Sequence, residues 1–378
     1  MKIKLATDFN PRNINAWSGL GVYYAKMLMQ AGFEIDYING RSLPSPFLDL
    51  LKIQYFKRVK EEIYSSRFDM AVAKRYARII NRRLPDGAYI FSPNAIFLAH
   101  TKQNLKKILY TDATFLNLLS FYPGFSSLTK ECQKDGTNID QLAITNADIL
   151  IYTSQWAADS AINEYKADPS KVFILPFGAN LDFTPSHEEI KKIVSQRSLE
   201  THVNLLFLGV VWTRKGVDYA VEVTEILNSI GIPATLHISG IKTFPENLNK
   251  KYIIDHGYLS KVTEEGQKKI GRLLAQSSFL IMPSLADCTP VSFSEANAFG
   301  LPCLTTNVGG HSSIIENGVN GMIFDREVFV ESAVNYISNL REKNNKYREL
   351  CFSSFEKYMQ KLNWNTIGEK ISKLVKSI

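Results

Sequence analysis

Two carboxylates flank the predicted start of a helix in the second half of the sequence. An apolar run is followed by Asp287 and then by Thr289, which we predict to be the helix N-cap, because the proline after it is typical of the first turn of a helix. Val291 and Ser292 offer backbone N–H groups at the positive end of the helix dipole, which favours a phosphate. Glu295 lies later on the same helix, and because a carboxylate repels phosphate, we expect both acids to bind hydroxyl groups. A phosphate beside several hydroxyl groups indicates a nucleotide-sugar.

Two adjacent cations follow a predicted strand upstream. Arg214 and Lys215 come after a short turn, and Gly216 opens the next helix. Fixed cations at the carboxyl end of a strand lie where an open α/β sheet binds ligands, and they suit phosphate. Solvated surface cations are the alternative, but basic residues are mildly disfavoured at a helix N-terminus. Gly19 and Gly21 form a similar turn after the first predicted strand, which is a weak signal when taken alone.

Strands and helices alternate along both halves of the chain. Short, β-branched apolar runs such as KIKLATDF, KKILY and ADILIY are typical of a parallel sheet buried on both faces. Residues 178–202 interrupt the alternation, and a second series begins at VNLLFLGVV. A chain of 378 residues has room for two domains of ordinary size. The predicted fold class is therefore α/β, with two doubly wound domains.

The segment that carries the two acids resembles a known family. The spacing of Asp287 and Glu295 resembles the E-x7-E motif of retaining glycosyltransferases with the GT-B fold, family 4. Three further stretches are similar to the signatures that follow this motif in the family, and they are Asn297–Pro302, Gly309-Gly310 and Glu316–Gly321. One departure is that an aspartate stands where the family usually has its first glutamate.

The resemblance implies two Rossmann-like domains that face each other across a cleft. We expect an acceptor-binding domain over residues 1–180 and a nucleotide-sugar-binding domain over 200–361, with a last helix (about 362–378) packing back on the first domain. The implied reaction moves a hexosyl group from a nucleotide-diphosphate-sugar to an acceptor hydroxyl with retention of configuration. It needs no metal and no other cofactor. The implied acceptor is a glycan, a lipid-linked molecule or a protein, in glycan or glycolipid biosynthesis.

Roles for individual residues follow from the same resemblance. Arg214 and Lys215 would bind the donor diphosphate and stabilise the leaving group, while Asp287 would meet sugar hydroxyls and Glu295 the ribose. Asp112 stands at a strand end where the family often has a histidine, and we count it, together with Arg214, Lys215 and Asp287, as catalytic. The predicted donor-binding residues are Gly19, Gly21, Tyr258, Leu259, Thr289, Val291, Ser292 and Glu295.

Composition excludes several other classes of protein. No apolar run reaches the roughly 18 residues that span a bilayer, and the N-terminus resembles a strand more than a signal peptide. We therefore expect a cytoplasmic protein. Four scattered cysteines without a CxxC pair favour neither a disulfide framework nor a structural zinc.

The charge of the chain is concentrated in one stretch. Residues 47–83 contain ten basic and four acidic residues, a net charge of +6 in a chain of +7, with six aromatic residues among them. Binding to an anionic membrane or a polyanionic acceptor is one interpretation. Solvated helices whose aromatic side chains pack inward are the other. Nucleic acid is not expected, because no binding motif accompanies the charge.

Two alternatives to glycosyl transfer stay open at this point. A sugar-nucleotide epimerase shares the fold, and it would convert the donor without any acceptor. A catalytically degenerate subunit that only binds or scaffolds is the other alternative. The joint presence of Arg214, Lys215, Asp287 and Glu295 argues against this degenerate subunit.

Overall fold

Two six-stranded parallel sheets form the framework of the protein in a computed structural model that describes residues 1–39 and 47–378. Residues 40–46, which belong to the predicted domain 1–180, lie outside the described part. The chain divides into two compact units, Met1–Leu175 with Ile367–Ile378, and Pro176–Thr366. The predicted fold class of two doubly wound α/β domains is confirmed. The predicted domain limits also assign a function to each domain, and they stay a prediction.

The first unit is built on a sheet whose neighbouring strands all pair in parallel. Its strands are β1 (Lys2–Thr7), β2 (Glu34–Asn39), β3 (Tyr89–Ser92), β4 (Lys106–Thr111), β5 (Ile149–Tyr152) and β6 (Val172–Ile174). Their order is β2-β1-β3-β4-β5-β6. In this register Leu109 lies opposite Leu150. All four residues of β5 are buried, as expected for a central strand covered on both faces.

The helices of the first unit follow the strands in alternation. They are α1 (Leu20–Gln30), α2 (Phe47–Tyr55), α3 (Met70–Arg83), α4 (Phe115–Phe121), α5 (Pro123–Ser126), α6 (Lys130–Asn146) and α7 (Gln155–Asn163). Polar side chains fix several helix starts. The Asp69 carboxylate accepts from the N–H groups of Ala71 and Val72 at α3, and the Ser154 hydroxyl accepts from Ala157 at α7. Such caps satisfy backbone donors that the helix itself leaves unpaired.

The second unit repeats the architecture. Its strands are β7 (Val203–Leu208), β8 (Ala234–Ser239), β9 (Ile253–Asp255), β10 (Phe279–Met282), β11 (Cys303–Thr306) and β12 (Gly321–Phe324). The order is β12-β11-β10-β7-β8-β9, and every pair is parallel. The place where β7 meets β10 is the switch in strand order. Open α/β sheets bind ligands beside the carboxyl ends of the strands at such a point.

The remaining helices surround the second sheet and end the chain. They are α8 (His187–Gln196), α9 (Trp212–Lys215), α10 (Val217–Ser229), α11 (Glu264–Gln276), α12 (Val291–Ala298), α13 (His311–Ile314), α14 (Phe329–Arg341), α15 (Asn344–Lys361) and α16 (Trp364–Lys376). A continuous apolar core joins the helices from α8 to α15 to this sheet. Within the first unit, α16 packs close to α1, where Gly368 lies against Met27 and Ala31.

Candidate active site

The turn after β7 holds two cations against the loop that follows β10. Nη1 of Arg214 donates to the carbonyl oxygen of Ala286 at 2.7 Å, and the N–H of Leu285 donates to the carbonyl oxygen of Arg214 at 2.8 Å. Because β7 and β10 are neighbours in the sheet, the segments after them meet at its carboxyl edge. The predicted phosphate-binding cations and the first predicted acid are therefore adjacent.

Arg214, Lys215 and Asp287 form one cation cluster. The Lys215 ammonium contacts the Asp287 carboxylate, and Nη1 of Arg214 lies 3.8 Å from the same Oδ2 atom. Burial, and then the Arg214 guanidinium, lower the pKa of Lys215 from its usual value, while the nearby Cys288 opposes this shift. Two cations share one carboxylate, so the cluster has positive charge to offer an anionic ligand.

Gly216 allows the turn to approach the loop so closely. Its φ is +69°, and a Cβ atom on this residue would lie 2.0 Å from the carbonyl oxygen of Pro283. That carbonyl belongs to the loop that carries Asp287. A side chain at this position would push the two cations away from the acid.

Gly216→Ala is expected to unfold the protein at a clearly lower denaturant concentration than Gly231→Ala. Gly231 has a similar φ of +80°, but nothing lies within 4 Å of its added Cβ. Gly231→Ala should lower the free energy of unfolding by about 1–2 kcal/mol, the penalty of a left-handed backbone conformation. Gly216→Ala should lower it further, because its Cβ also clashes with the carbonyl oxygen of Pro283. Urea unfolding of both variants measures the difference. Equal losses of stability would contradict the close packing at Gly216.

The helix after Asp287 begins one residue later than the sequence pattern predicts. The helix α12 starts at Val291, and Pro290 is its N-cap residue, without a side-chain capping bond. The prediction of Thr289 as the N-cap is therefore wrong, because Pro290 occupies that position and lies before the first helical residue. Val291 and Ser292 are the first two helical residues, so their N–H groups lie at the positive end of the dipole.

Glu295 lies on the same helix but belongs to a second ion pair. It is 3% exposed, and its carboxylate contacts the ammonium of Lys261. Lys261 comes from the loop between β9 and α11, which also carries Tyr258 and Leu259. Tyr258 is exposed, and Leu259 packs against the core of the second unit. The structure thus brings the loop of the predicted donor-binding residues Tyr258 and Leu259 to the second acid.

The predicted residues of the first unit lie at the start of α1 and directly after β4. Gly19 is the N-cap residue of α1 with a φ of +84°, and a Cβ on Gly21 would lie 2.9 Å from atoms of Phe9 and Pro11. Both glycines therefore let the loop after β1 pack against the helix. Asp112 directly follows β4, and burial raises its pKa to about 6. Burial raises the pKa of Tyr24 in α1, and the charges of Tyr110 and Asp112 raise it further.

A buried histidine, His311, lies near Lys215 of the cation cluster. The Nδ1 atom of His311 lies 2.9 Å from Oγ1 of Thr305 and 3.0 Å from the carbonyl oxygen of Thr306. The Thr305 hydroxyl donates to Met282, so both partners of Nδ1 are acceptors and this nitrogen carries the hydrogen. Burial, helped by Lys215, lowers the pKa of His311 to about 3. The ring therefore stays neutral beside the cations.

The predicted site residues form three groups. Arg214, Lys215 and Asp287 touch one another, with Thr289, Val291 and Ser292 a few residues further along the loop and helix. Glu295 is joined to the loop of Tyr258 and Leu259 through Lys261. Gly19, Gly21 and Asp112 lie in the first unit. The functional roles of all twelve residues stay predictions.

Two residues of this region were missing from the predicted set. Lys261 carried no signal in the sequence, since it is one cation in a polar loop. For His311 the sequence does contain a signal, which is the glycine pair that precedes it. The structure buries His311 completely against Phe293, with ring centroids 5.0 Å apart.

The second unit matches a family of known proteins. Residues 188–351 match the family model "Glycosyl transferases group 1". Structures of similar fold include sucrose-phosphate synthase from Thermosynechococcus elongatus, with a TM-score of 0.69, 14% identity and coverage of 100% of this chain and 98% of that one. HepE of Anabaena in complex with UDP-glucose has a TM-score of 0.63 and 16% identity, and the match covers both chains fully. The fold is GT-B, and residues 188–351 are similar to glycosyl transferases group 1.

Relatives of similar sequence carry glycosyltransferase names. The UDP-Gal:alpha-D-GlcNAc-diphosphoundecaprenol alpha-1,3-galactosyltransferase of Escherichia coli is 24% identical over 196 residues, which are 48% of this chain and 50% of that protein. The D-inositol 3-phosphate glycosyltransferase of Paenarthrobacter aurescens is 28% identical over 198 residues, 49% of this chain and 47% of that protein. The similarity thus spans about half the length of these relatives.

Proposed function

We propose that this chain is a retaining glycosyltransferase, which moves a hexosyl group from a nucleotide-diphosphate-sugar to an acceptor hydroxyl without a metal ion. The observation that carries the proposal is the cluster of Arg214, Lys215 and Asp287 beside the start of α12. Two cations and the helix N–H groups suit a diphosphate, and a carboxylate suits sugar hydroxyls. The group 1 match over residues 188–351 supports the reaction class.

The cation cluster would act on the leaving group. When the bond between the sugar and the phosphate oxygen breaks, negative charge develops on the nucleoside diphosphate. Arg214 and Lys215 stabilise that charge more strongly than they stabilise the bound donor, and this difference lowers the barrier. The acceptor oxygen forms its bond to the same sugar carbon on the face that the diphosphate leaves, and the proton of the acceptor hydroxyl passes to the departing diphosphate oxygen. The configuration at that carbon is thereby retained.

The remaining residues would position donor and acceptor. Asp287 accepts from sugar hydroxyls, Glu295 accepts from the ribose, and the loop of Tyr258 and Leu259 borders the base. In the first unit, the turn at Gly19 and Gly21 lets the backbone approach the donor phosphate and the acceptor, and the carboxyl of Asp112 binds the acceptor. A pKa of about 6 lets Asp112 exchange a proton with a hydroxyl close to neutral pH.

A panel of donors tests this function. Thermal unfolding with uridine, guanosine and adenosine diphosphates should identify one base that stabilises the protein. The matching sugar donors are then incubated with and without hydroxyl acceptors in excess chelator, and products are followed by NMR. We expect consumption of one donor only when an acceptor is present, with retained configuration. Conversion of the donor alone would indicate an epimerase, and rescue by Mg²⁺ or Mn²⁺ would contradict the metal-free reaction.

One part of the basic stretch 47–83 exposes an apolar stripe. Leu51, Tyr55 and Val59 recur at every fourth residue along α2 and the π-helical turn after it, and all three are exposed. The exposed cations of the same segment are Lys57, Arg58 and Lys60. An apolar stripe beside cations is the pattern of a helix that lies on an anionic membrane.

The rest of the stretch has a different character. In α3 the exposed residues include four cations, Lys74, Arg78, Arg82 and Arg83. Its apolar side chains are turned inward, where the ring of Tyr76 stacks on that of Phe97 with the ring centroids 5.1 Å apart. Phe56, Tyr64 and Phe68 also pack inward, against Phe115. The solvated-helix interpretation therefore fits α3, and only the apolar stripe and its cations suit a membrane.

We propose that the apolar stripe binds an anionic cytoplasmic membrane surface and that the acceptor is lipid-linked. The name of the E. coli relative includes a diphosphoundecaprenol substrate, which supports this acceptor class. Within residues 1–39 and 47–378, no helix combines the length and the hydropathy that crossing a bilayer requires.

The variant Lys57→Glu/Arg58→Glu is expected to lose vesicle binding. Each cation near an anionic surface contributes about 1 kcal/mol, so removing two should weaken binding about thirtyfold and reversing their sign should weaken it further. Flotation with phosphatidylglycerol vesicles at low salt measures this. The matched control is Arg78→Glu/Arg82→Glu on α3, which should still float. Equal loss in both variants, or a wild-type protein that does not float, would contradict the assignment of the stripe.

A further inference from the structure

Lys261 is the member of its ion pair that lies nearer to solvent. Its ammonium contacts Oε1 of Glu295. The Glu295 side chain is only 4% exposed, whereas that of Lys261 is 22% exposed. A ligand that approaches this acid from solvent therefore meets the ammonium before the carboxylate.

The backbone around Lys261 is held in place. The side-chain amide of Gln267 donates to the carbonyl oxygen of Lys261 at 2.9 Å, and the N–H of Gly266 donates to the hydroxyl of Thr263 at 3.1 Å. A Cβ atom on Gly266 would lie 1.9 Å from the carbonyl oxygen of Ser260, so the loop is packed tightly against the start of α11. This packing holds the backbone from which the Lys261 side chain reaches Glu295.

The pair has the chemistry to recognise neighbouring hydroxyl groups. A hydroxyl both donates and accepts, so it can donate to the Glu295 carboxylate while it accepts from the Lys261 ammonium. A phosphate only accepts, and the nearby carboxylate would repel it. The two vicinal hydroxyls of a ribose can use both partners, whereas a deoxyribose leaves one buried polar group without its hydrogen bond.

We infer that Lys261 is a specificity-determining residue that binds the ribose hydroxyls together with Glu295 and selects ribonucleotides over deoxyribonucleotides. The inference rests on the proposed function and adds a residue to that site. The carboxylate supplies the acceptor and the ammonium supplies the donor, so neither residue alone satisfies a hydroxyl completely.

Calorimetry with the full chain tests the inference. The probes are the nucleoside diphosphate that stabilises the wild-type protein and its 2′-deoxy analogue. Wild type should prefer the ribonucleotide by about tenfold or more, the effect of a hydrogen bond to a charged group. Lys261→Met should lose most of this preference, and Lys261→Arg should keep part of it. The matched control is Lys268→Met, since Lys268 is exposed and pairs with Glu264 on the same helix surface.

Each outcome bears on the inference. Lys261→Met leaves Glu295 buried without its partner, and if this variant unfolds, Lys261→Met/Glu295→Gln removes both charges and should also show no preference. An unchanged preference in a folded Lys261→Met would overturn the inference and leave the proposed function intact. Tighter binding of both probes by Lys261→Met would also overturn it, because the lysine would then compete with the ribose. A wild-type protein that binds no nucleoside diphosphate would overturn the proposed function itself.

Discussion

Lys215→Ala is expected to lower kcat/KM roughly 30- to 1,000-fold, which corresponds to about 2–4 kcal/mol of transition-state stabilisation. The Lys215 ammonium lies at the carboxyl edge of the sheet in contact with Asp287 and beside Arg214. Its removal takes away one of two fixed charges available to the departing diphosphate. Affinity for the free nucleoside diphosphate should fall too, because that product carries the charge which the cluster binds. Steady-state kinetics and calorimetry with the identified donor measure both effects.

Two control variants separate this role from a general effect of charge or stability. Lys268→Ala removes an exposed lysine of α11 that pairs with Glu264, and it should leave kcat/KM unchanged. Lys215→Arg keeps the charge and should recover part of the activity if charge is what matters. Thermal unfolding of Lys215→Ala checks the fold, since the variant leaves the Asp287 carboxylate with less compensation. Full activity in Lys215→Ala would remove the leaving-group role.

The sheets could be predicted because their strands carry a strong local signal. Runs such as Ile149–Tyr152 and Phe279–Met282 are short, apolar and buried along their whole length, and a buried parallel strand needs this composition. The order of the strands could not be predicted in the same way. That β10 pairs with β7, whereas β8 and β9 lie on the other side of β7, depends on packing between segments far apart in the chain.

In the site, too, the individual residues could be predicted from their local sequence, but the contacts between distant residues could not. The cations at 214–215 and the acid at 287 each follow a strand, which the sequence reveals, but the contact between Lys215 and Asp287 spans 72 positions. It requires that β7 and β10 be adjacent. Lys261 is the harder case, because nothing around it distinguishes it from other lysines. Only the folded chain places it against Glu295, 34 positions away.

Helix starts were the least predictable detail, for a physical reason. A threonine followed by a proline fits an N-cap and first helical residue, and it also fits a loop that ends in the proline. The structure has the second arrangement, with α12 beginning at Val291. The two differ by one residue, and the sequence alone does not distinguish them.

Asp287→Asn is expected to separate binding of the nucleotide from binding of the sugar. In the structure the Asp287 carboxylate contacts Lys215 and lies 3.8 Å from Nη1 of Arg214, so a diphosphate must compete with it for both cations. Removing the negative charge should leave affinity for the free nucleoside diphosphate unchanged or raise it. The same change removes a charged acceptor for sugar hydroxyls, so kcat/KM for the donor should fall about 10- to 150-fold.

Loss of turnover without loss of diphosphate affinity would indicate that Asp287 acts on the sugar and not on the nucleotide. Calorimetry with the nucleoside diphosphate and kinetics with its sugar donor are measured on one preparation of the variant. Asp218→Asn is the matched control, because Asp218 is an exposed acid of the neighbouring helix α10 whose carboxylate accepts from Trp212 at 2.7 Å. It should change neither quantity. If Asp287→Asn instead weakens the free diphosphate as much as the donor, Asp287 acts by holding Lys215 and Arg214 in place, and its contact with the sugar is contradicted. If donor turnover is unchanged while diphosphate affinity rises, the carboxylate only competes for the cations, and another residue must recognise the sugar.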